Sequence, residues 1–361
     1  MRMITLFLFA CVWICTAKGM KTSAPMTYVF FAVLLFTAIF HIDAAYLLLI
    51  AAIYAAVTVY AVFLPWPESD DSKSRKEIRR WWKHPRELFG FHIMNALLYL
   101  VPLPALSWLG GVVLENFGPM IKKRQKAMMD NLNNIMPECA NDKFTRRVWN
   151  NWGRTFVEGL KFSTYVNKKP KYISFRNKNL LYAHPQYLLA MPHFGYMGLM
   201  AAAFVNSGLI IGVTYKQSKN PLTNDVVLKN YGYGLVKETH FIPVGNAIPM
   251  VRALRDGEIL NINPDQRFHG APYIEFMGIP ARTSTGLAQL AIKFNLPILV
   301  AHVERTHGAH HEIVFDEFVN IPRTDDIKAD EIHGMKLVAD AMERIIRNKP
   351  DEYLWMHKRW A

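Results

Sequence analysis

The sequence predicts an α/β fold, with a mixed, largely parallel sheet flanked by helices and an N-terminal transmembrane hairpin in front of it. Two observations carry this. From residue 187 onward, short apolar runs alternate with helical stretches, the order of elements that places a sheet between helical layers. Before residue 66, uncharged apolar runs dominate the chain, and their lengths suit a bilayer.

Met3–Ala17, Met26–Phe40 and Ala44–Pro65 contain no Lys, Arg, Asp or Glu. A span needs roughly 20 apolar residues, so Ala44–Pro65 is the clearest. The polar break His41-Ile42-Asp43 reads as a hairpin tip, because one helix over both runs would overshoot the bilayer. Lys18 and Lys21 precede the hairpin, and Lys73, Arg75, Lys76, Arg79, Arg80, Lys83 and Arg86 follow it. The positive-inside rule puts both clusters, and all that follows residue 66, on the cytoplasmic side. Met3–Ala17 is either a third short span or a cleaved signal. The expected organisation is an anchor over 1–66, a basic linker or interfacial segment over 67–86 and a catalytic-type domain over 87–361. In the linker, Trp81 and Trp82 among Lys and Arg suit the headgroup layer, or belong to a solvated basic helix. Ile93–Leu114 is apolar and uncharged, and Pro102 and Pro104 interrupt it. Two short helices lying in the interface are expected there, with buried core or a span as alternatives.

Helices are expected over Lys122–Met136 and Asp142–Phe162, broken by Pro137-Glu138. A short apolar strand follows at Tyr187–Met191, then a helix through Leu199–Val205, a strand at Leu209–Tyr215 and a helix at Asn224–Tyr231. Phe241–Pro243 is extended and Ala247–Leu254 helical. Ile259–Asn263 is a strand, Thr285–Phe294 a helix, Ile298–His302 and His311–Phe315 strands, and Ile332–Arg347 the last long helix.

The formal net charge is +13. On a membrane-associated chain this fits anionic headgroups or an acidic protein partner. No nucleic-acid-binding motif is present, so no nucleic acid is expected as partner. The three cysteines, Cys11, Cys15 and Cys139, form neither a disulfide framework nor a metal cluster and fit a reducing compartment. No cofactor or metal is expected.

Two segments carry candidate chemistry. In Ala190-Met191-Pro192-His193-Phe194-Gly195, a strand ends on a histidine beside a glycine that allows close approach. His193 there is placed as a general base, or is a structural strand-end histidine. In Ile259 to Gln266, a buried strand ends on Asp265-Gln266. Polar groups at such strand ends commonly face the site, although an Asp there also caps turns.

These segments, with others, resemble one family. His193-Phe194-Gly195 is similar to the His-Phe-Gly-Asn-Trp-Glu block of the lipid A lauroyl and myristoyl acyltransferases, within the lysophospholipid acyltransferase superfamily. Arg252–Gln266 is similar to their Leu-x-x-Gly…Asp-Gln block. Phe276-Met277-Gly278-Ile279-Pro280-Ala281, with Thr283 and Gly286, resembles their Phe-Phe-Gly-x-Pro-Ala-x-Thr-x-x-Gly block. Asn131–Glu138 resembles an Asn-Leu…Phe-Pro-Glu block, and Pro350–Trp360 the closing segment. The blocks occur in the family's order. The hairpin lies outside the resemblance.

The resemblance implies a glycerolipid acyltransferase-like fold and a membrane-bound O-acyltransferase. A histidine, here His193, takes a proton from a hydroxyl of a lipid A-type glycolipid or related lipid. The alkoxide then attacks an acyl thioester of acyl carrier protein or coenzyme A, and cations and backbone N–H groups hold the oxyanion. Lys229 stands where the family places an arginine, and Lys216 lies in the strand-end loop before it. Both are expected to bind substrate phosphate, with Arg252 and Gln266 from the same blocks, or the lysines are solvated surface residues. The implied location is a bacterial inner membrane with the catalytic domain on its cytoplasmic side.

One departure matters. The family places an acid five residues after the histidine, and this chain has Gly198 there. No Asp or Glu occurs between Glu158 and Asp225. Three explanations stand open. A carboxylate reaches in from elsewhere, with Asp265 favoured over Glu158 and Glu258. Or His193 acts alone, held by a carbonyl. Or the chain is a catalytically inactive lipid-binding or assembly protein of the same fold. A transporter is disfavoured by the few spans and the large α/β portion.

Overall fold

The computed structural model describes residues 101–167, 169–217, 228, 236–245 and 247–360. The expected hairpin, the linker and basic segment, and all of the helix expected at Asn224–Tyr231 except Leu228 lie outside them. The described residues belong to one compact unit, Lys76–Ala361. Among them, no helix is long and apolar enough to cross a membrane.

Helix α1 (Leu103–Phe117) begins at the expected proline break and covers the second of the two short helices expected over Ile93–Leu114; residues 93–100 lie outside the described residues. Pro102 is its N-cap and Pro104 lies in its first turn, where a missing N–H breaks no intrahelical bond. Gly110 and Gly111 are buried in the middle of the helix. Helix α2 (Lys122–Ile135) and a 3₁₀ turn at Pro137–Cys139 lead to α3 (Asp142–Gly159), whose N-cap Asn141 accepts a hydrogen bond from Phe144 N at 2.9 Å. The helix expected to reach Phe162 stops at Gly159, and two short helices follow, α4 (Phe162–Asn167) and α5 (Lys169–Tyr172).

The α/β core then runs β1 (Ile173–Arg176), β2 (Leu188–Ala190), α6 (Met200–Phe204), β3 (Ile211–Tyr215), β4 (Thr239–Pro243), α7 (Ala247–Arg255), β5 (Ile259–Ile262), β6 (Tyr273–Phe276), β7 (Ile279–Arg282), α8 (Gly286–Phe294), β8 (Ile298–His307), β9 (His310–Val319) and α9 (Ile327–Asn348). The main sheet has the order β1-β9-β8-β2-β5-β3-β4. β8, β2, β5, β3 and β4 pair in parallel, while β9 runs antiparallel to β8 and parallel to β1. The expected mixed, largely parallel sheet between helices is therefore present. β1 and the separate β6–β7 hairpin are additions, and β8 and β9 are longer than their apolar centres implied.

Strand alternation splits the core between the two faces of the sheet. Leu188, Ala190, Leu260, Ile298 and Val300 belong to a cluster with residues of α2, α3, α8 and α9. Leu189, Ile259, Leu299 and Ala301 belong to a second cluster with α6, Tyr165 and Tyr172. Side chains point alternately to opposite faces along a strand, so central strands covered on both sides are apolar throughout.

The topology also fixes where a site can form. After β2 the chain crosses to β3 on one side. After β5 it crosses to β8 on the other side, passing β2. Crossovers leaving neighbouring strands in opposite directions open a crevice at their carboxyl ends, the usual binding place in such sheets. His193 follows β2 and Asp265 follows β5.

Candidate active site

The parallel register aligns Ala190 with Ile262, so the two strands end level. Three residues later, each chain presents a polar group. The His193 Nδ1 lies 2.6 Å from Asp265 Oδ1, and the His193 backbone N–H donates to Asp265 Oδ2 at 2.7 Å. An ionised carboxylate only accepts, so Nδ1 carries the proton and Nε2 presents its lone pair. The Gln266 side-chain amide sits 2.9 Å from that Nε2. Asp265 is buried, whereas the His193 side chain keeps 24% of its surface exposed.

Electrostatics follow from this geometry. Burial alone would raise the Asp265 pKa. The His193 charge, the hydrogen bonds from its ring and backbone, and the nearby Arg359 outweigh burial and hold the carboxyl below its ordinary value. Burial would lower the His193 pKa, yet the Asp265 charge and hydrogen bond raise it above the ordinary imidazole value. The pair is thus a base whose protonated form is supported by a fixed anion.

The loop carrying His193 is held by the C-terminal segment. Leu354 N–H donates to the His193 carbonyl at 3.0 Å, and Gly195 N–H to the Glu352 carbonyl at 3.0 Å. Phe194 forms an antiparallel bridge with Tyr353. Gly195 has φ +54, and a Cβ there would lie 2.0 Å from the Val303 carbonyl oxygen. Only glycine fits.

His193 opens onto a pocket of about 290 Å³ between α3 and the 193–198 loop. Its walls are mostly apolar, with Val148, Trp152, Phe156 and Leu160 on the helix side and Met197, Gly198 and Leu354 opposite. Trp152 and Phe156 are also exposed at the surface. An apolar slot ending on an imidazole whose Nε2 lone pair meets only the Gln266 amide can seat a fatty chain with its reactive carbonyl at the base.

Of the three carboxylates considered for His193, the fold brings only Asp265 to it. Glu158 is buried and bound elsewhere, to Arg305 Nη1 at 2.5 Å and His311 Nε2 at 3.0 Å. Burial raises its pKa, but Arg305 and His311 outweigh that and lower it to about 2. Glu258 pairs with His240 Nδ1 at 3.0 Å. Gln266 meets the imidazole itself. Lys216 is exposed and follows β3 at the same carboxyl edge as His193. Lys229 lies outside the described residues. Arg252 is exposed in the last turn of α7. The end of that helix is tied through Gln186, just before β2, by Gln186 Nε2 donating to the Leu254 carbonyl at 2.7 Å. This is the amino edge of the strands, and Arg252 is not brought to His193.

Sequence reasoning passed over three residues that build this site, Glu352, Tyr353 and Arg359. Burial raises the Tyr353 pKa well above its ordinary value, as does the neighbouring Asp265, to which the phenol hydrogen bonds. All three fall in Pro350–Trp360, the closing block of the resemblance, where acids and cations stand among aromatic residues, and that block was the signal that could have singled them out.

A family model described as bacterial lipid A biosynthesis acyltransferase matches residues 75–361. No curated protein matches the chain.

Proposed function

The chain belongs to the bacterial lipid A biosynthesis acyltransferase family and is an acyltransferase, and from that premise we propose that it moves a fatty acyl chain from an acyl thioester to a hydroxyl of a lipid A-type glycolipid, with His193 as general base. The observation that carries this is the 2.6 Å contact of His193 Nδ1 with buried Asp265, which leaves Nε2 at the edge of the apolar pocket. The acceptor hydroxyl takes the place of the Gln266 amide on Nε2 and gives up its proton there. Its oxygen bonds the thioester carbon. The C–S bond then breaks, and the thiolate recovers the proton from the imidazolium. Asp265 keeps the ring in the required tautomer and supports its charge. The donor is acyl carrier protein or coenzyme A, and the basic surface suits the acidity of both. Lys216 and Lys229 are assigned to acceptor or donor phosphate.

The same reading places the enzyme on the cytoplasmic side of the inner membrane. Trp108, Leu109, Val113 and Phe117 of α1 and Met120 and Ile121 after it are exposed, and exposed Lys122, Lys123 and Arg124 follow directly. An apolar face with a basic border supports seating on anionic lipid. The inactive lipid-binding reading rested on the acid missing at Gly198, and Asp265 removes that motive. Acyl transfer from acyl carrier protein to a lipid A precursor, measured in membranes with His193→Ala, tests the proposal. A loss of about 10²-fold or more is expected for a general base. Wild-type turnover would remove His193 from the role.

A further inference from the structure

We propose that Arg359 is a positioning residue of the transfer site, fastening the turn that bears Asp265 and Gln266 to the end of β7 and thereby fixing the place of the His193 ring. This rests on the reading of His193 as base.

Arg359 stands near the end of the chain, and its side chain is buried, with 3% of the residue exposed. Its Nη1 donates to the Arg282 carbonyl at 2.5 Å and toward the Gln266 carbonyl at 3.4 Å. Its Nη2 donates to Thr283 Oγ1 at 2.5 Å. That hydroxyl spends its own proton on the Ala281 carbonyl and can therefore only accept from Arg359. The guanidinium carbon lies 5.4 Å from the Phe276 ring centroid. One planar cation thus bridges the residue after the His-binding aspartate and the end of a separate hairpin. A guanidinium reaches several acceptors at fixed angles, whereas an ammonium is a single flexible point.

Geometry and field act in the same place. Burial lowers the Arg359 pKa, while Tyr353 and Asp265 act to raise it. Asp265 in turn is held ionised in part by Arg359. Among the described residues, the groups facing the His193–Asp265 pair are Arg359, Tyr353, Gln266 and His357; burial, followed by the His193 charge, lowers the His357 pKa. Arg359 is the permanent cation among them. A cation that served only to anchor the chain end would move stability and leave the acid–base behaviour of His193 alone.

Two variants separate these roles in the full-length enzyme. Arg359→Gln removes both fork and charge; Arg359→Lys keeps the charge. Both are expected to lose tenfold or more in kcat with little change in KM, because the Asp265 turn is no longer pinned. Only Arg359→Gln is expected to move the acid limb of the pH–rate profile, to higher pH, since loss of a neighbouring cation favours the imidazolium. Wild-type kcat in both variants, or an unmoved limb in Arg359→Gln, overturns the proposal. If Arg359→Gln does not fold, Arg359→Lys decides. A tenfold loss of kcat with KM and melting temperature near wild type supports positioning, and wild-type kcat overturns it. His193→Ala run alongside keeps the two claims apart: an active His193→Ala defeats the base assignment, whereas an inactive one with normal Arg359 variants defeats only the role of Arg359.

Discussion

A carboxylate five residues after the histidine would fall at Gly198, but the chain brings one from 72 residues away. The substitution of one source for another has consequences that can be measured. Asp265→Asn preserves shape but no longer fixes the Nδ1–H tautomer, and turnover should fall by about 10²- to 10⁴-fold, as for the orienting acid of a triad. The pH profile carries the sign. As the proposed base, His193 has to be neutral to take the proton, and its raised pKa then puts the acid limb above the value of an ordinary imidazole. Removing the Asp265 charge lowers that pKa, so in Asp265→Asn the limb should move to lower pH while the plateau drops. An unmoved limb would show that another group titrates. Gly198→Glu is the complementary probe. With Asp265 already on Nδ1, a second acid should give no gain in kcat, and because Gly198 lines the pocket KM for the acyl donor should rise. A large gain in kcat would mean that Asp265 is not the working partner.

The site depends on elements packed unusually close. Where α1 crosses α3, a Cβ on Gly153 would meet the Gly110 carbonyl oxygen at 2.1 Å. The two backbones touch, and α3 supplies the helix wall of the pocket. Gly153→Ala must separate the helices or bend one, and overpacking of this kind costs about 1–3 kcal/mol. Urea denaturation should show that loss, and a stability equal to wild type would mean that the crossing is looser than described. The β6–β7 hairpin shows a second local device. Met277 and Gly278, its two turn residues, both have positive φ, 58 and 82. Such a two-residue turn matches strand twist and usually ends in glycine. The Phe276-Met277-Gly278-Ile279 block is thus a turn signal that periodicity alone did not expose, because each strand has only four residues.

Across the described residues as a whole, a buried charge cluster ties the layers together. Glu158 of α3 accepts from Ser107 of α1 at 2.6 Å and from Arg305 of β8, and contacts His311 of β9. Arg305 also gives its backbone N–H to Glu352 at 3.0 Å, the residue whose carbonyl holds Gly195. Breaking a buried pair by removing one partner typically costs 3–5 kcal/mol, so Glu158→Gln should destabilise by about that much in denaturant titrations. A change under about 1 kcal/mol would show that the cluster is not holding the layers. The pH dependence follows from its lowered pKa. Stability from ionised Glu158 is fully present above its unfolded value of 4.5 and is lost as pH falls from there through about 2. Glu158→Gln should flatten that acid limb of the stability curve.

Periodicity and strand-to-helix alternation determined the fold class, because each element buries a face whose spacing is written locally. They also placed His193 and Asp265 at strand ends. Only the tertiary structure decided that β2 and β5 are neighbours in register, and so that Asp265, and neither Glu158 nor Glu258, reaches the imidazole. It alone brought Arg359 from the chain's end to the Asp265 turn and left Arg252 at the opposite edge of the sheet. Strand order is a long-range property set by how whole faces pack, and no local pattern encodes it. A buried cation near the C-terminus could be recognised as part of the site only once the chain had folded around it.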